Sequence, residues 1–536
     1  MTQVNLIQNL VGGWSVSDVR IANLSDSINL YVETQGDGAA STQMLRSICG
    51  STRLLQLSGP CRGIFQASRG LNGKPVLFAV FGHSLYVIRN TDEAYELTKD
   101  LTNTNEPVSM TETGGEGSAN PHLIVVDGAS VWAVNTELDN EGMKNDIRTI
   151  ALPYRVRQDD KSNPVVRIQP THCAYCYNYL IVNDKDTDAF YISYQYPFER
   201  TVQGTSQVDY DIFMIDSVRA VEAGYKNYGF ITYAEWRPDN ISALISNSSL
   251  LYTFGPKSTQ IFTYNNDVDA PFVSPTNAAN SIGIKAPKSL CCVGDYVFWL
   301  GASEIGENGI YQWKGNSLSK ISNPEIEHKI GTMKNPSDAV GQCWTETGHM
   351  FYALTFNDDD YTLVYDLTEG LWHRRSTKDE LTAVSHKWRL GFAKLHNNKL
   401  LFGTDDGSLV YLDYNKWKEY DDRPIIRLRR SGMMLNNYHK FFIDGIKLIC
   451  NTGDFKNQQL LQEDKAPHVM LRWSEKGGPW SNQRLGGIGK QGEYSYQVDW
   501  YKLGLHSICA IEISISDNVN FALLGGKIQY SLVDRF

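Results

Sequence analysis

The chain lacks any long hydrophobic run: no stretch approaches about 18 uninterrupted apolar residues, so no membrane-spanning helix is expected. Its first residues, MTQVNLIQNLVGGWSV, have no basic segment followed by a long apolar core, which predicts no secretory leader. Helix-favouring runs of Ala, Glu, Lys and Leu are scarce. Basic charge is also short: 50 Lys and Arg against 60 Asp and Glu give a formal net charge of -10. That balance argues against gripping nucleic acid over a broad basic face, because phosphate neutralisation needs clustered cations. A surface that repels DNA is compatible with it. Serine-hydrolase signatures such as GxSxG are missing, and the 11 histidines are dispersed.

Cysteine is sparse and odd in number. The nine lie scattered at Cys49, Cys61, Cys173, Cys176, Cys291, Cys292, Cys343, Cys450 and Cys509, a pattern that reads as reduced, buried thiols made in a cytoplasm. Cys173 and Cys176 follow His172 with zinc-knuckle spacing, but no second Cys or His pair lies at a suitable distance. Core cysteines on a strand are expected there, and no metal.

Aromatic residues and glycine are abundant. Aromatics make up 11%, with 29 Tyr and 12 Trp, and the 44 Gly are spread along the chain, which suits a turn-rich β protein. A length of 536 residues calls for two or three domains, or one large repeat domain with appendages.

A unit recurs: an apolar run, a two-residue turn, and a second run rich in β-branched and aromatic residues. It reads LFAVFGHSLYVI around Gly82, LIVVDGASVWAV around Gly128 and HCAYCYNYLIV around Asn178. It returns as ALISNSSLLYTFG around Asn247, LCCVGDYVFWLG around Gly294, WTETGHMFYALTF around Gly348 and FAKLHNNKLLFGT around Asn398. Each places Gly or Asn where a hairpin wants positive φ. Successive turns lie roughly 46 to 54 residues apart, with one gap of roughly 69, the spacing of a β-propeller of four-stranded blades. Seven hairpins predict six or seven blades; an irregular array of β-sandwiches is the competing reading. Second hairpins, GIYQWKGNSLSKI and TLVYDLTEGLWHRR, supply outer strands. The long gap predicts an insertion over about 200–232, with one short helix at 218–224, on a face where partners often bind.

The rhythm changes after about residue 430. FFIDGIKLIC, HVMLRW, YSYQVDWYKLG and AIEISISD, where Ile511, Ile513 and Ile515 share a face, predict an antiparallel sheet or sandwich. The expected organisation is therefore an N-terminal arm or platform segment over 1–55, a propeller over 56–430, and a C-terminal β-sandwich or platform over 431–536.

Residues 470–500, MLRWSEKGGPWSNQRLGGIGKQGEYSYQVDW, carry two tempting motifs. GGIGKQG imitates a phosphate loop, but Lys490 is followed by Gln491 where Ser or Thr is needed, and strand-like sequence follows where a helix is needed. WSEKGGPW resembles the Asp-box hairpin of sialidases through Ser474, Gly478 and Trp480, yet Lys476 replaces the Asp, the segment is one residue short, and only one copy exists. A sialidase-like enzyme also needs arginines converging on a carboxylate, and Arg427, Arg429 and Arg430 are too close in sequence to do so from different blades. A solvated or subunit-contacting basic strand is expected for them. NDKDTDAF, with Asp184, Asp186 and Asp188, imitates a calcium loop but has Ala189 for the Gly and Gln195 for the bidentate Glu. A hairpin tip is expected there, as at Asp358, Asp359 and Asp360. The residues nominate no catalytic, cofactor or metal site.

Five segments, in order, are similar to the packaged-DNA stabilisation proteins of short-tailed bacteriophages (podoviruses), also called tail hub or nozzle proteins. They are LYVET…LRSICG, SSLLYTFGPKSTQIFTY at 248–264, GDYVFWLGASEIGENGIYQWKG at 294–315, YTLVYDLTEGLWHRR at 361–375, and LRWSEKGGPWSN…GKQGEYSYQVDWYKLG. The resemblance implies a β-propeller with a platform domain, assembled as a ring of six below the portal and its adaptor. Such a protein continues the channel for double-stranded DNA, retains the packaged genome and carries tail fibres or spikes, with a needle or plug closing its distal end. It implies no enzyme and no cofactor, and a place in the virion tail after assembly in the host cytoplasm. A cellular propeller scaffold binding peptides or glycans is the alternative from another class, and a propeller hydrolase a third.

Overall fold

The apolar runs pair into antiparallel hairpins, and the hairpins assemble into six small sheets and one end of a larger sheet, whose innermost strands stand side by side around an axis, a seven-bladed β-propeller. The computed structural model describes residues 2–533 except 8, 40, 91–92, 115–120, 157–164, 196–198, 203–204, 209–211, 214–229, 268–269, 277, 304–305, 307, 380–383, 437–438 and 456–464.

From inner to outer strand, blade 1 is Cys61–Ala67, Val76–Phe81, Ser84–Ile88 and Tyr95–Thr98. Blade 2 runs from Ser109–Thr113 to Arg148–Thr149, blade 3 from Cys173–Cys176 to Phe230–Tyr233, and blade 4 from Ala243–Asn247 to a broken outer edge made by Phe272–Val273 and Ala279–Asn280. Blade 5 has Ile282–Ile284 and Cys291–Val293 inside and Ser317–Lys320 outside; blade 6 runs from Val340–Glu346 to Leu371–Arg374. Blade 7 takes three consecutive strands, Leu390–His396, Lys399–Thr404 and Ser408–Asp413, and borrows its outer strand, Gly50–Gln56, from the N-terminal part of the chain. That strand closes the ring by hydrogen bonds, and Leu390–His396 of blade 7 lies against Cys61–Ala67 of blade 1.

The seven hairpins legible in the sequence fall one per blade but are not equivalent. Those at Gly82 and Gly128 join the second and third strands, whereas the other five join the first and second. In four of the latter the turn residues take positive φ in pairs, as in Asn397 (48°) and Asn398 (59°), while at the fifth Gly294 alone does (55°); the local twist of such turns matches that of the flanking strands. The long gap is an insertion between the third strand of blade 3, Ala189–Ile192, and its outer strand. It contains the hairpin Glu199–Val202 with Thr205–Val208 and is pinned by buried Ile212 and Phe213. The helix expected at 218–224 lies outside the described residues.

The blades seal one another with apolar side chains. Between blades 5 and 6, Phe298, Leu300, Tyr352 and Leu354 meet Ile326 and Ile330 of the helix Pro324–Gly331. That helix starts where Asn323 accepts a hydrogen bond from the Ile326 N–H and Pro324 presets the first turn. Each fully buried Leu or Phe contributes about 1.5–3 kcal/mol relative to exposure.

Both ends of the chain build the second domain. A six-stranded sheet joins Thr2–Leu6, Leu30–Thr34 and Gln43–Ser47 to Phe441–Cys450, Val498–His506 and Ala522–Leu532. It packs on a second sheet containing Ile508–Ile515 and His468–Glu475, with Ile511, Ile513, Ile515, Trp500 and Phe441 in the core between them. This second sheet is continuous with blade 6: Leu24–Ile28 pairs in parallel with the outer strand of blade 6 at Ile28 and Arg374, and antiparallel with Arg427–Arg430. One eleven-stranded sheet thus runs outward through the blade and on into the platform.

Candidate functional site

The strand LSDSI, residues 24–28, is buried along its whole length although three of its five residues are polar. Those polar groups organise the joint between ring and platform. Asp26, 2% exposed, receives Arg374 of blade 6 at 3.3 Å and Arg430 of the platform at 3.4 Å. Arg430 donates its Nε to Glu512 at 2.7 Å, and Arg472 donates to the other Glu512 oxygen. Glu512 is itself 1% exposed. Buried charge is tolerated only when paired and hydrogen-bonded, and here each carboxylate faces two guanidinia.

The expectation of a solvated or subunit-contacting basic strand at Arg427, Arg429 and Arg430 is overturned, because Arg427 and Arg429 are fully buried. Arg429 donates to the carbonyls of Asn9, Leu10 and Gly13 at 2.8–2.9 Å and to Ser25 Oγ at 2.9 Å, stapling the N-terminal segment onto the joint. Arg427 donates to the carbonyls of Asp517 and Val519. Burial pulls the pKa of Arg427 down to about 9, opposed by Asp517, and that of Arg429 down to about 10, opposed by Asp26, so both stay charged at neutral pH. A guanidinium with five donors can satisfy several carbonyls at once, which explains why arginine serves here and lysine would not.

Next to this network, buried Asn29 adopts φ 57° and bridges two backbone segments: its amide donates to the Ser376 and Ile426 carbonyls, and its carbonyl accepts from Ser376 N–H. Tyr31 sets its ring edge-on to His349 (5.0 Å) and Phe351 (5.5 Å) of blade 6. His349 shares a 2.7 Å hydrogen bond with Asp366. Burial lowers the His349 pKa, but Asp366, with Glu33 and Glu369, more than offsets it and leaves it raised. His373 beside it has no such partner; burial, then Arg375 and His349, hold it well below the ordinary histidine range.

The motifs of residues 470–500 find structural roles at this joint. WSEKGGPW is a hairpin with positive φ at Lys476 and Gly477, in which Ser474 Oγ donates to the Gly478 carbonyl. It brings Trp480 over Arg430 and Arg472, 5.3 and 5.2 Å from the ring centre, so the indole lids the Glu512 cluster. Trp500 is buried in the sandwich, while Trp473 is half-buried under Arg484. GGIGKQG is a turn, with Gly489 and Gly492 at positive φ, and the Lys490 N–H donates to Glu493; no helix follows it.

The acidic triplets are hairpin tips. Asp184 is buried and accepts from the Gln169 N–H, and Asp186 has φ 61°. Asp359 accepts from the N–H groups of Lys334 and Asn335. Cys173 and Cys176 are buried on a blade 3 strand. Among the described residues no group of three His, Cys, Asp or Glu side chains could hold a metal ion. A recess of about 740 Å³ on the platform, bordered by Leu6, Met433, Met434, Phe441 and Tyr530, has no carboxylate, imidazole, lysine or arginine in its lining.

Asp26, Asn29, Glu512 and the His349–Asp366 pair escaped sequence reasoning. A signal existed: SDSIN and IEISIS place polar residues inside β-patterned apolar runs, where the polar face must be solvated or internally paired. Choosing between these requires knowing what covers that face.

Fold and joint together define a class: a seven-bladed β-propeller fused through one continuous sheet to a two-sheet platform. Residues 222–416, from the outer strand of blade 3 through the three consecutive strands of blade 7, match the family model described as bacteriophage P22 Gp10, beta-propeller. The match supports a role as a phage structural protein associated with the virion. No curated protein matches the chain. Among solved structures it is similar to the N-terminal domain of Nup159 (9% identity, 72% of this chain and 98% of that one, TM-score 0.38). It is also similar to the WD40 domain of Toxoplasma gondii coronin (10% identity, 73% and 87%, TM-score 0.34). At these values neither likeness bears on function.

Proposed function

We propose that the protein is the tail nozzle, or hub, of a short-tailed phage: a ring of six that sits below the portal and adaptor, continues the DNA channel, retains the packaged genome and takes part in its ejection. The observation that carries this reading is the family match over residues 222–416. The net charge of -10 accords with a conduit through which duplex passes without sticking. The sheet that joins platform to ring suits a part that must transmit force as one body.

Self-association is assigned to the outer face of the six-stranded sheet. Val4, Leu6, Phe442, Tyr501 and Leu505 are 44–66% exposed; register puts Val4 in one row with Tyr501, through Gln529 and Gly445, and Phe442 beside Leu505 in a second row. Such apolar exposure costs solubility on a lone chain and favours burial against a second copy. The insertion of blade 3 opens on the face that carries the first-to-second-strand turns and is offered to fibres or spikes. Retention is steric, by loops or by a distal needle or plug, and loop displacement opens the channel when the tail meets its receptor.

Mixing the purified chain with its adaptor ring and measuring mass and symmetry tests the assembly; six copies per adaptor are expected, and Phe442→Lys should abolish them. Failure to bind any adaptor and absence from virions would sink the reading. An emptied virion whose lumen is unchanged from the filled one would sink the gating step.

A further inference from the structure

All nine cysteines are free, but they are not all fully buried as the sequence suggested: Cys292 is exposed, and Cys291 and Cys343 are partly buried. Cys291 lies on the inner strand Cys291–Val293 of blade 5 and Cys343 on the inner strand Val340–Glu346 of blade 6. Although 52 positions apart, their sulfurs are separated by 2.8 Å, against about 2.0 Å for a covalent disulfide. Both pack against the apolar core of the seam between the two blades.

The backbone builds this approach. Gly341, two residues before Cys343, lies so close to Ser289, two residues before Cys291, that a Cβ there would sit 2.1 Å from the Ser289 carbonyl oxygen. Tyr352 of blade 6 donates its hydroxyl to that same carbonyl at 3.0 Å and stacks on Phe298 of blade 5 at 4.9 Å. The two inner strands are thus held close beside the thiols, so bond formation needs a shift of less than about 1 Å.

We propose that Cys291 and Cys343 are a modification site, forming a disulfide that bolts blade 5 to blade 6 when the reduced protein meets a low-molecular-weight disulfide such as oxidised glutathione. The Cys291 thiolate attacks one glutathione sulfur, forming a mixed disulfide and releasing one glutathione thiolate. Cys343, on losing its proton, then attacks the Cys291 sulfur; the protein S–S bond forms and the second glutathione leaves. Two protein thiols are oxidised, and two electrons depart in two reduced glutathiones. Burial pushes the Cys343 thiol well above the usual range, so the second step quickens as pH rises. The bond closes a loop of 52 positions that the unfolded chain must then carry, which restricts that state and raises stability.

The test incubates the reduced full-length chain with oxidised glutathione across neutral to mildly alkaline pH, blocks residual thiols, and reads intact mass, linked peptides and Tm. Expected are a mass lower by two hydrogens, one linked pair carrying Cys291 and Cys343, a rate that grows with pH, and a Tm increase that a reducing thiol reverses. C292S should keep the link. C343S should lose both link and Tm shift, and G341A, which retains every thiol, should form the link far more slowly. An unchanged mass, glutathione adducts alone, a Cys291–Cys292 link, or a G341A rate equal to that of the parent would each overturn the proposal.

Discussion

The seams between blades and the joint between ring and platform solve one problem, burying an interface within a single chain, with opposite materials. Between blades 5 and 6 the contact is Phe298, Leu300, Tyr352 and Leu354; between blade 6 and the platform it is Asp26, Glu512 and four arginines. Apolar packing is non-directional and suits a repeat in which each blade meets its neighbour in the same way. The joint occurs once, and its strand pairing with blade 6 rests on a single parallel register, Ile28 with Arg374. Donors and acceptors of fixed direction specify that register where oil cannot.

The largest effect that would sharpen this contrast is expected for Arg429→Leu. It leaves the carbonyls of Asn9, Leu10 and Gly13 without their donor and should cost about 3–5 kcal/mol in urea unfolding. It should also expose the N-terminal segment to protease before the ring unfolds. A loss below about 1 kcal/mol would break the idea of a staple. Leu354→Ala, in the apolar seam, should cost about 2–5 kcal/mol without early clipping of that segment.

The histidines test the joint through pH. The folded pKa of His349 is raised, so its contribution is fully present below about pH 6.5 and fades as pH rises through the folded value. His349→Gln should therefore lower Tm most at acid pH. The folded pKa of His373 is depressed, so it costs stability as pH falls below about 6.5, at most about 1.4 kcal/mol per pH unit. His373→Gln should flatten the acid side of the Tm profile, and an unchanged profile would count against a neutral, trapped imidazole. The smallest effect is expected for Lys490→Ala, within about 0.5 kcal/mol; a loss of nucleotide binding would revive the phosphate loop.

Much of the ring was legible because hairpins are local: Asn397–Asn398 or Gly294 between alternating apolar runs announces a turn whatever surrounds it. The candidate site was not. Arg427, Arg429 and Arg430 look like a solvated basic strand until Leu24–Ile28 and the 9–13 segment, some 400 positions away, are laid over them. The same holds for Trp480, whose apparent place in a sugar-cleaving hairpin becomes a lid over Arg430 and Arg472 once the neighbouring strands are in place.

By itself the sequence determined a turn-punctuated, all-β chain with a repeat and a distinct C-terminal rhythm, because side-chain alternation and positive-φ turns act over two to ten residues. The tertiary structure alone decided that there are seven blades, that Gly50–Gln56 closes the ring, and that both chain ends share one platform. It also decided which charges are buried as pairs and which thiols meet across a seam. Each of these depends on contacts between segments about 50 to more than 500 positions apart, whose free energy comes from burial and pairing that no local pattern encodes.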